Sequence, residues 1–332
     1  MLYLYPSNCL EDLAILLAEV IKTRPRNILT PTKVLVPNPG MQHWLNMQLC
    51  DHLGISMNID CPMPTRYVWD LCRQVLGSEN IPLQSPYKRE VLTWKIYELC
   101  QSQPCKQADF YPQLSRYWMQ ASTELDQARR MFSFARQLAD LFEQYLVFRP
   151  DWLQQWESNQ SQNFSLPRYK LFEHWQQWFW QQLVAWIPAH PVSLQFEAIA
   201  ALAERKQALP KDIYIFSINS ISPIYLTFFD EISQHTNVHL FQLNPCVNYW
   251  GDSQSDIAIA KMQRKQALAL SLDENAVHPL LRNLGAQGRD LNNLLADMQH
   301  QEIAAFDIHV NAIDANTKHM PTVLQQLQQD IL

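Results

Sequence analysis

Apolar residues cluster along this chain in two rhythms. Short unbroken runs, Leu2-Tyr3-Leu4-Tyr5 and Val34-Leu35-Val36, predict buried strands. Between and after them, Cys9 to Lys22 and Met41 to Leu53 carry apolar residues at helical spacing. Past Pro82 and Pro86 the rhythm is helical from Tyr87 to about Trp186. Met131, Phe134, Leu138, Leu141, Phe142 and Tyr145 make one apolar face, and Leu171, Trp175, Trp178, Phe179 and Leu183 another. Pro188 and Pro191 close that region. After a helix over Leu194 to Lys206, strand character returns at Ile213–Phe216 and Val238–Phe241, with a helix over Ile224–Ile232 between them. That βαβ unit belongs to a parallel sheet covered on both faces. The tail from Ser271 reads as mostly helical, with a turn at Gly285 and Gly288, and Val323 to Leu332 as a helix cut short. The expected class is α/β, a parallel sheet flanked by helices and interrupted by an all-helical insertion. The expected parts are 1–80, 81–192 and 193–332.

Composition narrows the function. The chain has 332 residues, 47% of them hydrophobic, enough for a sizeable core. Of eleven tryptophans, nine fall between Trp69 and Trp186, so the helical region has an aromatic core or an aromatic ligand surface. Seven cysteines without a C-x-x-C pair point away from a disulfide framework or a zinc site and towards a reducing compartment. No signal peptide or membrane-spanning run is visible, so a cytoplasmic location without membrane contact is expected. The net charge of -6 argues against bulk attraction to nucleic acid, though not against a local basic channel.

The chemistry of a nucleotide-driven motor is missing where its layout would put it. A phosphate-binding loop needs a glycine-rich turn and a lysine between the first strand and helix, where backbone N–H groups cradle phosphates. Here that junction reads Pro6-Ser7-Asn8-Cys9-Leu10, and no Gly-Lys pair occurs in the chain. The strand ending at Phe216 leads into Ser217-Ile218-Asn219-Ser220-Ile221-Ser222-Pro223, with no acidic residue to hold magnesium. Asp230-Glu231 falls at the end of a helix instead. Histidines are dispersed, with no H-E-x-x-H, and G-x-S-x-G is absent. Asp140 and Glu143 share a helix face and fit either acid–base work or ion pairs with Arg136 and Arg149. No metal, cofactor or catalytic residue is expected.

Five long segments share one likeness: VPNPGMQHWLNMQL (36–49), NIDCPMPTRYVWDL (58–71), DLFEQYLVFRPDWLQQW (140–156), NPCVNYWGD (244–252) and HPLLRNLGAQGRDLNNLL (278–295). Together they resemble the RecC family, the gamma subunit of the bacterial RecBCD helicase–nuclease (exodeoxyribonuclease V). The resemblance runs through essentially the whole chain and implies an amino-terminal fragment of a longer protein. It further implies a degenerate superfamily-one helicase motor domain, its ATPase residues lost, with a helical subdomain inserted. On that likeness 34–49 stands where a helicase touches single-stranded DNA, and 244–252 where it senses nucleotide. The family's role would be to hold the RecB and RecD motors, split duplex DNA and thread the 3′-ended strand past a Chi-reading site, with catalysis left to the partners.

The resemblance carries Chi recognition onto Met63, Trp69, Asp140, Leu141, Glu143, Gln144 and Arg149. Trp69 would offer a stacking face, Arg149 a phosphate or guanine contact, and Asp140, Glu143 and Gln144 bonds to base edges. Trp69 and Leu141 read equally well as ordinary core, and Arg149-Pro150-Asp151-Trp152 as a helix-ending corner with a buried ion pair. Pro37 and Pro39 stand where the family pattern has a polar pair, leaving Asn38 as a possible additional DNA contact. A different Chi sequence, or none, is the expectation that follows.

Overall fold

A computed structural model of the chain describes residues 1–24, 30–79, 81–162, 167–202, 204–205, 209–266, 277–306 and 322–332. It forms two compact units, Met1–Tyr67 with Leu209–Leu332, and Val68–Ala208. The elements begin β1 (Leu2–Ser7), α1 (Leu10–Thr23), β2 (Thr32–Leu35), α2 (Pro39–Leu53), β3 (Ile59–Asp60) and α3 (Pro64–Leu76). Seven helices follow: α4 (Arg89–Gln101), α5 (Gln103–Lys106), α6 (Tyr111–Met119), α7 (Glu124–Phe148), α8 (Pro150–Glu157), α9 (Pro167–Trp186) and α10 (Pro191–Ala201). Then come β4 (Asp212–Phe216), α11 (Pro223–Ser233), β5 (Asn237–Leu243), α12 (Asp256–Gln266), α13 (Pro279–Leu284), α14 (Ala286–Ala296), β6 (His300–Glu302) and α15 (Val323–Ile331).

The expected strands and helices of the first unit are present. Two further strands, β3 and β6, are only two and three residues long, too short to show a period in the sequence. The helix expected to reach Lys206 ends at Ala201, and Lys206 and Ser271 lie outside the described residues. Gly285 does separate two helices, but Gly288 sits inside α14, so the turn is one residue wide.

All six strands are parallel, in the order β3-β2-β4-β5-β1-β6. Residues 213–216 of β4 and 238–242 of β5 are buried without alternation, as a sheet covered on both faces requires. Leu13, Ala14, Leu17, Ala18 and Ile21 of α1 pack with Val34, Phe216, Phe241 and, from α2, Leu45 and Leu49. At the sheet's centre His239 is fully buried between Tyr3 and Tyr214, ring centroids 5.0 and 5.2 Å away. Its Nε2 faces Asp212 Oδ1 at 3.2 Å, and burial, opposed by that carboxylate, holds its pKa below the usual value.

The second unit is helical throughout its described residues, and its core is aromatic. Trp118, Trp156, Trp180, Phe142 and Phe179 are almost wholly buried. Trp180, which the apolar spacing of α9 did not single out, is among the deepest. Buried indoles favour a hydrogen-bond acceptor; glutamates supply one to Trp156 and Trp180, whereas the Trp118 N–H has none among the described residues. Trp156 donates to Glu173 Oε1 at 3.0 Å and Trp180 to Glu157 Oε1 at 2.9 Å. His190, the N-cap of α10, accepts Ser193 N–H on Nδ1, which assigns its proton to Nε2, 3.1 Å from Glu157 Oε1. Burial raises the Glu157 pKa, but the His190 and Trp180 donors outweigh it and hold the carboxyl below the ordinary glutamate value. Stability from this group is therefore complete above that ordinary value and is lost as pH falls through the folded one. Acid unfolding followed by circular dichroism should show Glu157→Gln less stable at neutral pH, with the difference shrinking as pH drops below about 4.5.

Candidate nucleic-acid interface

In a parallel α/β sheet the ligand crevice lies beyond the carboxyl ends of the strands. In the first unit this edge gathers Ser7-Asn8, Pro37-Asn38, Pro62-Met63, Ser217-Ile218-Asn219 and Asn244, none of them charged, while the short edge strands β3 and β6 end on Asp60 and Glu302. β1 runs through Pro6 to Ser7, and α1 begins at Leu10, so the connection is too short to wrap a phosphate. It is tied down locally. Ser7 Oγ accepts the Cys9 N–H at 3.1 Å, and Asn244 N–H donates to the Ser7 carbonyl at 2.8 Å. Asp230 and Glu231 lie within α11, away from any strand end.

Beside the ends of β4 and β5 lies a cavity of about 240 Å³, lined by Asn219, Gln242, Asn244, Trp250, Gly285 and Gly288 among others. Trp250 is buried, and its indole N–H donates to Asn244 Oδ1 at 2.9 Å. Its ring lies so close to Gly285 and Gly288 that a Cβ on either would stand 2.8 Å from it. These glycines make room for an indole rather than for a phosphate. Gly288→Ala should lower thermal stability by about 1–3 kcal/mol, because the buried ring cannot retreat without disturbing its hydrogen bond.

Asn38 and Pro39 form a helix start. Asn38 Oδ1 accepts the Met41 N–H at 2.9 Å as N-cap of α2, and Pro39 occupies the first helical position. The departure at Pro37 and Pro39 thus has a local structural use, with the Asn38 side chain exposed but its oxygen engaged. Met63, just before α3, is 49% exposed.

The remaining candidates lie in the second unit, mostly on the last turns of α7. Ala135, Leu138, Ala139, Phe142 and Leu146 bury one face of this 25-residue helix. The opposite face presents Glu143 and Gln144 exposed, with Asp140 and Leu141 half-buried. Gln144 Nε2 donates to Asp140 Oδ2 at 3.0 Å. Asp140 pairs with Arg89 of α4 at 3.7 Å, not with Arg136 or Arg149 as the sequence suggested, because α4 and α7 lie side by side. Arg149 ends α7 and begins α8, with φ -141° and ψ 49°. The corner read from Arg149-Pro150 is present, with an exposed guanidinium in place of a buried ion pair. That guanidinium donates to the Phe148 carbonyl at 2.9 Å and lies 5.7 Å from the Trp152 ring centre.

Trp69 differs from the rest. It is 7% exposed, and its indole N–H donates to the Pro82 carbonyl at 3.1 Å. The core alternative describes its placement, and a stacking base would have to displace its neighbours. Asp140, Leu141, Glu143, Gln144 and Arg149 come together on one stretch of helix, while Met63 and Asn38 belong to the other unit. Trp69→Ala should destabilise the protein by about 3–5 kcal/mol in chemical denaturation, against about 0.5 kcal/mol or less for Glu143→Ala.

Among the described residues no group of His, Cys, Asp or Glu could hold a metal ion, and no helix is long and apolar enough to cross a membrane. The described cysteines are all free. Burial pushes the Cys61 and Cys105 thiols up to about 11 and Cys72 to about 12, so none of the three is a nucleophile near neutrality.

The family defined by the RecC amino-terminal domain matches residues 2–332. RecBCD enzyme subunit RecC of Escherichia coli (strain K12) is 31% identical over 362 residues, covering 100% of this chain and 31% of the relative. The subunit of the same name from Haemophilus influenzae is 29% identical over 385 residues, covering 100% of this chain and 33% of the relative. That from Mycolicibacterium smegmatis is 25% identical over 306 residues, covering 90% and 25%. The chain spans about a third of the length of the first two relatives. Matched over residues 2–332, through the sheet-bearing unit and the helical one alike, the chain belongs to the RecC amino-terminal domain family.

Proposed function

We propose that this chain is the amino-terminal part of a non-catalytic, DNA-handling subunit of a RecBCD-type helicase–nuclease in the bacterial cytoplasm. It helps hold the RecB and RecD motors, split the incoming duplex and guide the 3′-ended strand past a Chi-reading surface in double-strand-break repair. The sheet-bearing unit, with its insertion, is a superfamily-one motor domain that has lost ATP chemistry. What supports the loss is the strand-end edge, where two residues join β1 to α1 and no carboxylate follows β4.

The observation that carries the DNA-reading part is the exposed corner at the end of α7. Its side chains are of the types that read unpaired bases: a carboxylate–amide pair (Asp140 and Gln144), a second carboxylate (Glu143) and an exposed guanidinium. They stand on a helix whose other face is locked by Phe142 and Leu146, so they are held in fixed geometry. Leu141 packs beside them as half-buried support. In the first unit Met63 is an exposed apolar contact of its own, and Trp69 acts from within the core of the second. With Asn38 engaged as a helix cap and Pro37 and Pro39 unable to bond bases through their side chains, this chain reads a different Chi sequence, or none.

The test is the full-length protein purified with its partner subunits. It should bind single-stranded DNA, and Arg149→Ala should reduce the slope of log K against log salt by about 0.7, the share of one neutralised phosphate. Glu143→Ala and Gln144→Ala should change which sequences pause the enzyme while leaving duplex unwinding intact. ATP binding by this chain alone, or unaltered strand binding in all three variants, would overturn the reading.

A further inference from the structure

The DNA-reading corner continues along α7 into a second, aromatic stretch that neither composition nor motif singles out. Phe132, Arg136, Asp140 and Gln144 follow one another at four-residue steps on the same helix. Neighbours at that spacing lie on one face, and the eight residues from Phe132 to Asp140 cover about 12 Å. Beside Phe132, α4 contributes Trp94 and Tyr97. The three rings touch, with centroids 5.1 Å apart for Trp94–Phe132, 6.2 Å for Trp94–Tyr97 and 6.3 Å for Tyr97–Phe132.

Within this group the Trp94 ring is 64% exposed, whereas Trp118, Trp156 and Trp180 of the same unit are almost wholly buried. Leaving so much indole surface in water is unfavourable, and nothing in the packing of α4 demands it, since Leu92, Thr93 and Ile96 already fill its buried face. Arg136 stands between the rings and the Asp140–Gln144 pair. It is exposed and, among the described residues, has no ion-pair partner, whereas Arg89 and Arg129 pair with Asp140 and Asp126.

The order along this face is ring, cation, then carboxylate–amide pair. A contiguous apolar patch would suit a protein partner. Rings separated from base-edge groups by a free cation suit a single-stranded nucleic acid, whose bases stack while its phosphates need countercharge. We propose that Trp94, supported by Phe132 and Tyr97, is a stacking platform for a base of single-stranded DNA, and that Arg136 binds the phosphate between that base and those at Asp140 and Gln144. The platform rests on the reading of the α7 corner as a DNA-reading surface, and extends it by about two nucleotides towards Phe132. It also supplies the stacking face that buried Trp69 does not present.

The experiment uses the full-length protein with its partner subunits and single strands carrying one 5-iodo-deoxyuridine at successive positions. Ultraviolet crosslinking followed by peptide mass spectrometry should give an adduct at Trp94, from positions offset by two or three nucleotides from those that crosslink near Arg149. Trp94→Ala should weaken single-strand binding by about 5- to 150-fold, Trp94→Phe should restore most of it, and Arg136→Gln should lower the salt slope by about 0.7. Because Trp94 is exposed, these variants should keep the parent's melting temperature. Unchanged binding in Trp94→Ala while Arg149→Ala still weakens it would overturn the platform and leave the DNA-reading corner standing. Unchanged binding in both would overturn the two together. Release of a partner subunit by Trp94→Ala, with strand affinity retained, would show this face to be a subunit contact and defeat the proposal.

Discussion

β1 finds none of its partners in the sixty residues that follow it. It pairs only with β5 and β6, Leu2 against Val238 and His300, while β2 reaches the rest of the sheet through β4, Val34 against Tyr214. The sheet therefore cannot close until the chain has passed through the whole helical unit and returned. Everything at the strand ends depends on that closure. The Ser7 carbonyl is satisfied by Asn244 N–H, and the cavity near β5 is walled by Trp250 and α14. Such long-range pairing is entropically costly to initiate, and the helical unit, rich in local contacts, supplies structure that forms without it.

The two units divide the chemistry. In the first, the crevice beyond β4 and β5 is lined by neutral amides, glycines and a buried indole. In the second, a single long helix has one face sealed by small and large apolar side chains and the other set with groups that hydrogen-bond. The packed face holds the exposed one in fixed geometry, which lowers the ordering entropy that any contact made there would cost. Glu173 and Glu157 accept indole N–H groups within the helical unit. They satisfy two of the three deepest indoles, while the Trp118 N–H is left without a partner among the described residues.

Much of this was legible in the sequence. The runs at Leu2–Tyr5, Ile213–Phe216 and Val238–Phe241 are strands because unbroken apolar residues at that length suit a sheet buried on both sides. The stripe through Leu138 and Phe142 is a buried helix face because its period is helical. The missing Gly-Lys pair is itself a statement about sequence, and the two-residue link from β1 to α1 agrees with it. The fate of Trp69 was not, because an indole with a carbonyl partner inside and one on the surface are spelled alike. Nor was the Arg89–Asp140 pair, which joins residues far apart in sequence across two helices.

The sequence by itself determined the alternation of strands and helices, the short Pro6-Ser7-Asn8-Cys9 junction after the first strand, and the polar set at the end of α7. These follow from local period and residue type, which act over a few neighbours. Only the tertiary structure decided the strand order, the burial of Trp69 against the exposure of Trp94, and the packing of Trp250 over Gly285 and Gly288 at the wall of the strand-end cavity. Those outcomes depend on which distant surfaces meet, and burial is a property of the meeting rather than of either residue alone.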